Sequence, residues 1–393
     1  MPRAKTSDVE KKGGELSRRD RVRAVVNTLR GDHPGKIYTG EDYTMPWAVR
    51  RLPFGIADLD VATNGGAPAG GLTMLVGKPG EGKNFLLNRL VRNQQQLYGE
   101  DCAVAMIGTE LAYDKTQGRS VGVRVALSND EIDAMNAKQR ELHNRDLTKE
   151  EVAELKTQVG EFLVVPPSTA EEAFDIAVDL VRSGEFNIVG LDSFGSILPE
   201  GDEDKDFADG DARVGGAAGL NTQLMRKLNN AFAPLSGGRP NLTCFVGINQ
   251  VRDKLKAQPF EKQTHESGGW SLKHGRFLTI ELSRIAYVRD EKTKAAIAKR
   301  IGWEITKQKA GGYEGHKGEY TYVMSKSDID EGELLLRVGE FYGLIEKSGN
   351  TYSYNGQRMG VGVAQAAAWI VKCGLEKELN EEILHAARVT LVT

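Results

Sequence analysis

The sequence predicts an α/β fold built on a mainly parallel sheet, and three observations carry that expectation. Leu72-Thr73-Met74-Leu75-Val76 is a continuous apolar run, as a strand covered on both faces requires. It leads directly into Gly77-Lys78-Pro79-Gly80-Glu81-Gly82-Lys83, and then into Phe85 to Val91, whose apolar residues recur at helical spacing. Further on, Asn187 to Leu191 is a second buried-strand pattern, and it ends on Asp192.

Composition sets the bounds. A chain of 393 residues has room for one large domain with appendages, or for two to three modest ones. Apolar residues at 40% and charged residues at 27% are those of an ordinary soluble protein. A net charge of -3 excludes global attraction to nucleic acid, so any such contact must come from local basic patches. Cys102, Cys244 and Cys373 are scattered and odd in number, which fits reduced thiols and neither a disulfide frame nor a metal site. The six histidines show no ligand spacing. No apolar run reaches membrane length and the N-terminus is charged from Arg3 onward, so the expectation is a cytoplasmic protein without membrane contact.

Residues 1–14 are polar and glycine-bearing. Glu15 to Arg30 then carries Val22, Val25, Val26 and Leu29 at i, i+3, i+4, i+7 among arginines. That is one amphipathic helix, which packs either on its own domain or on a neighbouring subunit. The loop at 77–83 reads G-x4-G-K between a strand and a helix. In that setting backbone N–H groups curl round a β-phosphate, the helix dipole assists, and Lys83 reaches the β/γ oxygens. The motif's next residue, normally a Ser or Thr that ligates Mg²⁺, is Asn84; its amide oxygen still suits a hard cation, from a longer side chain. Cys102 to Gly108 forms the next strand and ends at Thr109-Glu110. A carboxylate there is either placed to polarise an attacking water or a surface group.

Between 128 and 162 the texture changes. Ser128 with Glu131 and Thr148 with Glu151 have capping-box spacing. Ile132, Met135 and Leu142, then Val152, Leu155, Val159 and Phe162, predict two amphipathic helices, a solvated hairpin set between strands. Leu163-Val164-Val165 is a short strand, Thr169 to Arg182 a helix, and Asp192 the strand-end carboxylate that holds Mg²⁺ through water. After an acidic loop at 200–211 come a helix from Gly219 to Phe232, with Arg226 and Lys227, and a strand from Leu242 to Ile248. Past Asn249-Gln250-Val251-Arg252, the stretch to Trp270 interleaves Lys254, Lys256 and Lys262 with Phe260. It suits a nucleic-acid backbone and its bases, although Asp253, Glu261 and Glu266 also make it an ordinary mixed charge run. Strands follow at Phe277 to Leu282 and Trp303 to Thr306, the latter running into Lys307-Gln308-Lys309. From about Glu331 short helices and a Tyr352-Ser353-Tyr354-Asn355-Gly356 turn mark a small terminal domain.

In this order the pieces resemble a RecA-type homologous recombinase, from roughly Lys36 to Leu379 with the hairpin as an interruption. Thr109-Glu110-Leu111-Ala112-Tyr113-Asp114 is similar to the family's segment bearing the catalytic Glu, here Glu110, and an adenine-contacting Asp, here Asp114. Leu191-Asp192-Ser193 resembles its Walker B strand, and Gln223 to Leu228 the helix after the first DNA-binding loop. Asn249-Gln250-Val251-Arg252 is similar to the segment whose Gln senses the γ-phosphate and opens the second DNA loop. Gly268-Gly269 through Leu272-Lys273 to Arg284-Ile285 resembles that loop's far end. Thr306-Lys307-Gln308-Lys309 is similar to the paired lysines that reach ATP on the adjacent subunit. Lys347 to Tyr354 with Gly360 to Trp369 resembles the C-terminal domain of bacterial RecA. Departures are Asn84 for Thr, His274 for an aromatic relay residue, Gly219 for a DNA-loop Arg, Gln117 near the place of an adenine-stacking Tyr, and no acidic tail.

The resemblance implies a RecA-type P-loop ATPase core over 49–330, an N-terminal polymerisation helix and linker over 1–48, and a small α/β C-terminal domain over 331–393. It implies DNA loops near 199–218 and 251–273, with Arg226, Arg252, Lys254, Gly268, Gly269, Trp270 and Lys273 on DNA. ATP would be held by residues 77–85 and Asp114, Mg²⁺ by Asn84 and Asp192, and turnover would use Glu110, Lys83, Gln250, Lys307 and Lys309. The implied activity is ATP-dependent pairing and strand exchange by a homo-oligomeric helical filament on single-stranded DNA with a duplex partner. An ATP-gated DNA-coating filament with negligible hydrolysis and a hexameric helicase are the alternatives.

Overall fold

A computed structural model describes residues 17–33, 37–38, 40, 43–109, 113–194, 216–253, 264–266 and 269–388. Contact density divides the chain into two units, one of Met1–Thr44 with Pro234–Pro240 and one of Met45–Ala233 with Asn241–Thr393.

In the first unit helix α1 (Arg18–Asp32) is capped by Ser17, whose hydroxyl accepts from the Asp20 amide at 3.2 Å. Arg30 Nε donates to the Ile37 carbonyl at 3.2 Å, tying the chain that leaves the helix. None of the residues of α1 is buried, and Val22, Val25 and Leu29 are all exposed.

The second unit is organised by one sheet. Its strands are β1 (Gly71–Gly77), β2 (Ala103–Gly108), β3 (Glu161–Val165), β4 (Ile188–Asp192), β5 (Cys244–Asp253), β6 (Leu278–Arg289), β7 (Ala296–Gln308), β8 (Lys317–Val323) and β9 (Asp328–Ile329). They lie in the order β9-β8-β7-β6-β1-β5-β4-β2-β3. From β6 to β3 every neighbour is parallel, whereas β6 to β9 are joined antiparallel. The α/β expectation therefore holds, with an antiparallel extension on one side.

Alternation along β1 explains why the sheet is covered on both faces. Leu75 joins a core with Leu86 and Leu90 of helix α2 (Lys83–Tyr98), while Met74 and Val76 join another with helices α6 (Ala170–Ser183) and α7 (Gly216–Ala231). Each such fully buried aliphatic side chain contributes roughly 1.5–3 kcal/mol. The C-terminal elements α9 (Glu331–Phe341), α10 (Val363–Cys373) and α11 (Glu376–Ala386) share the first core through Leu334, Ile370 and Ile383.

Local signals match well in the 128–162 segment. Both capping boxes form, starting α4 (Asn129–His143) and α5 (Lys149–Leu155). Only Ile132 is buried in α4 and no residue in α5, as a solvated hairpin requires. Phe162 is a correction: it lies in β3, not in a helix. Helix α5 ends at Leu155, and Gly160 at φ +66 turns the chain so closely that a Cβ there would lie 2.1 Å from the Cys102 carbonyl oxygen. Strand β5 also outruns its apolar pattern, because Val251, Arg252 and Asp253 pair antiparallel with Glu266, His265 and Thr264.

Candidate nucleotide site

The register of four parallel strands converges on one edge. Gly77, ending β1, lies opposite Gln250 on β5, and Asp192, ending β4, lies opposite Ile248 on β5 and Gly108 on β2. The loop at 77–83, Gln250 and Asp192 therefore meet at the carboxyl ends of the strands, where open α/β sheets place ligands. They line one pocket together with Asn84, Phe85 and Gln117.

The loop's geometry follows from its glycines. Gly80 and Gly82 have φ of +75 and +93, which other residues rarely adopt. Gly82 immediately precedes α2, so the helix starts at Lys83 with its amides directed at the pocket. Lys83 is buried, and its ammonium donates to the Gly77 and Lys78 carbonyls, both at 2.8 Å. Glu81 closes the loop by accepting from the Lys78 amide at 2.6 Å.

Asn84 sits on Asp192: its Nδ2 donates to Asp192 Oδ2 at 2.8 Å. The contact presents the amide nitrogen to the carboxylate, so the pair fits Mg²⁺ only with the amide turned over, which brings its oxygen, a hard donor like the carboxylate, to the same point. Among the described residues no cluster of three His, Cys, Asp or Glu could hold a metal. A cation here would thus need nucleotide or water oxygens as well.

Asp114 caps helix α3 (Lys115–Ser120), accepting from the Gln117 amide at 2.9 Å. It lines an adjoining pocket with Asn84, Asn88, Tyr113, Gln117 and Asp192. Tyr113 donates to Asn88 Oδ1 at 2.9 Å, and burial pushes its hydroxyl well above the usual phenol range.

Lys307 and Lys309 do not line these pockets. They cap helix α8 (Gly269–Gly275): Lys307 Nζ donates to the Lys273 carbonyl at 2.5 Å and to His274 at 3.1 Å, and Lys309 Nζ to His274. Burial, then the neighbouring Lys309 and Arg276 charges, hold the Lys307 ammonium below its ordinary pKa. Arg226 on α7 and Lys273 on α8 are exposed. Glu110, Lys254 and Gly268 lie outside the described residues, as do the side chains of Arg252 and Trp270 and most of the 199–218 loop.

Motif reading missed the other wall of the pocket, formed by Lys299, Ile301, Tyr320 and Tyr322. These residues come from β7 and β8, more than 200 positions downstream of the loop, with no local signature.

Comparison with known proteins points the same way. The RecA N-terminal domain family matches residues 143–314. The chain is 28% identical over 326 residues to Protein RecA 1 of Myxococcus xanthus, covering 81% of this chain and 79% of that protein. It is 28% identical over 357 residues to Protein RecA of Nocardia farcinica, covering 89% and 88%. Against Protein RecA of Rhodococcus jostii it is 28% identical over 360 residues, covering 90% and 89%.

Proposed function

We propose, from the premise that this chain is a divergent RecA-type protein, that it is an ATP-dependent DNA recombinase. It polymerises as a helical filament on single-stranded DNA in the cytoplasm, pairs that strand with homologous duplex and exchanges strands. The observation that carries the reading is the convergence of the phosphate loop, Asp192 and Gln250 on one sheet edge.

In this reading the loop amides and Lys83 hold the triphosphate, with Lys83 leaving the Gly77 and Lys78 carbonyls to follow developing charge. Asn84 and Asp192 would hold Mg²⁺, which supplies charge neutralisation on the phosphate oxygens. Glu110 orients the attacking water. Gln250 senses the γ-phosphate, and because β5 continues from it to the Asp253 rung, nucleotide state is transmitted to the second DNA loop. Arg252, Lys254, Gly268, Gly269, Trp270 and Lys273 contact DNA there, with Arg226 beside the first loop. The exposed Val22, Val25 and Leu29 stripe of α1 docks on the next subunit, whose nucleotide Lys307 and Lys309 approach in trans. The C-terminal elements complete the subunit as its small terminal domain.

ATP hydrolysis with and without single-stranded DNA is the test. Stimulation by DNA supports the recombinase. ATP-gated DNA binding without turnover would favour the coating-filament reading, which the Asn84–Asp192 contact favours because the amide nitrogen occupies the carboxylate.

A further inference from the structure

The hairpin of α4 and α5 interrupts the resemblance to the family, and it supplies no residue to either nucleotide pocket. Its attachments are nonetheless specific. Entry and exit run side by side as a neck, the Leu127 amide donating to the Leu155 carbonyl at 2.9 Å and the Val159 amide to Arg124 at 3.2 Å. Gln95 of α2, 5% exposed, clamps that neck. Its Nε2 donates to the Arg124 and Val159 carbonyls at 2.9 and 3.0 Å, and its Oε1 accepts from the Arg124 amide at 2.8 Å. The hairpin is thus fixed to the helix that leaves the phosphate loop.

Two further ties run to α3. Lys115, its first residue, meets Glu131 of α4 at 2.5 Å, and the same Glu131 oxygen accepts from the Ser128 amide at 2.7 Å. At the other end Arg119 donates to three carbonyls: Val125 at 2.9 Å, Glu154 at 2.8 Å and Thr157 at 3.2 Å. Val125 lies where the chain enters the hairpin, and Glu154 in the last turn of α5, where a cation suits the helix dipole. Helix α3 is 6 residues long, well below the roughly 12 to 15 at which a helix holds in water unaided. Tyr113 and Val121 anchor its two flanks in the core, whereas the helix between them is held by Lys115 and Arg119. Asp114, its cap, and Gln117 line the nucleotide pockets, so their placement depends on what braces this short helix.

We propose that the hairpin is a strut that positions α3, and that Arg119 is the positioning residue through which it sets nucleotide affinity. Anchored to α2 by Gln95 and to α3 by Arg119 and Lys115, it fixes the wall carrying Asp114 and Gln117 relative to the phosphate loop. The loop itself holds the phosphates, so the strut acts on the nucleoside part of the ligand and leaves the triphosphate alone. The assignment rests on the nucleotide-binding reading above and gives the inserted segment a part in it.

Calorimetric titration of the full chain with ATP and with inorganic tripolyphosphate, each with Mg²⁺, separates the two parts of the ligand. Arg119→Met should weaken ATP about five- to tenfold, the lower end of ordinary coupling between sites, and leave tripolyphosphate within about twofold. Arg119→Lys should recover part of the loss. Lys115→Met should cost no more than about fivefold, because partly exposed ion pairs are weak. The Leu127–Leu155 contact lets residues 128–154 be replaced by Gly-Gly, and this excision should repeat the Arg119→Met pattern. If ATP affinity is unchanged in Arg119→Met and in the excision, the hairpin is only a decoration and the proposal is overturned. Equal weakening of ATP and tripolyphosphate, with a lowered melting temperature, overturns it as well, since that is general loosening. Lys83→Ala should lose both ligands whatever the strut does. A parent protein that binds neither would sink the nucleotide reading and the strut with it.

Discussion

The contact between Asn84 and Asp192 makes a sharp prediction about Asn84→Asp. The amide nitrogen and the carboxylate oxygen are 2.8 Å apart, so the substitution turns a hydrogen bond into a like-charge pair at that distance. Two unit charges at that separation repel by about 6 kcal/mol at an effective dielectric of 20 and by about 1.5 kcal/mol in water. Asn84 is exposed and Asp192 half-buried, so screening places the cost near the lower figure. In EDTA the variant should therefore melt about 2–5 °C below the parent. Millimolar Mg²⁺ should restore most of that loss, since a divalent cation between two carboxylates offsets their repulsion. Lowering the pH toward 4 should also restore it, by protonating one of the pair. The assay is thermal unfolding of parent, Asn84→Asp and Asn84→Ala across a Mg²⁺ titration. A variant that melts with the parent in EDTA and ignores Mg²⁺ would show that these side chains are not in contact, and the proposed cation site would fall with them.

Three further outcomes are expected. Arg89 is 1% exposed and joins α2 to Asp328 and Glu331, so Arg89→Ala should cost about 3 kcal/mol in urea unfolding, with Arg89→Met recovering part of it. Burial outweighs two amide donors and raises the Asp60 carboxyl to about 7 from its ordinary 3.8. Its contribution to stability is thus present below 3.8 and lost as pH rises through 7, and Asp60→Asn should flatten that part of the curve in melts at pH 5 and pH 8. Deleting residues 1–31 removes the exposed stripe of α1 and should yield a small species that still binds nucleotide; long filaments in negative stain would refute the docking role.

Much of this architecture is legible in short stretches of sequence. The apolar run before Gly77, the strand ending at Asp192 and both capping boxes are local signals, and each forms as read. What stayed hidden depends on partners distant along the chain. Tyr320 joins the phosphate loop only because β8 pairs with β7, and β7 is carried to β1 by β6. The Arg89 network likewise needs residues 239 and 242 positions away. Strand β5 outruns its hydrophobic pattern because a ladder partner continues it from Val251 to Asp253. Phe162 fits a helical period, but the turn at Gly160 assigns it to a strand. Lys307 and Lys309 are plain in sequence, while their hold on the last carbonyls of α8 is a property of the folded chain.

Strand exchange between a labelled single strand and homologous duplex, with ATP and Mg²⁺, tests the central claim most directly. The account predicts product from the parent protein and none from Lys83→Ala. Glu110→Gln should bind DNA in the presence of ATP yet fail to turn ATP over. Robust ATP-dependent DNA binding by the parent with no exchanged strand, under conditions where a known recombinase succeeds, would contradict it.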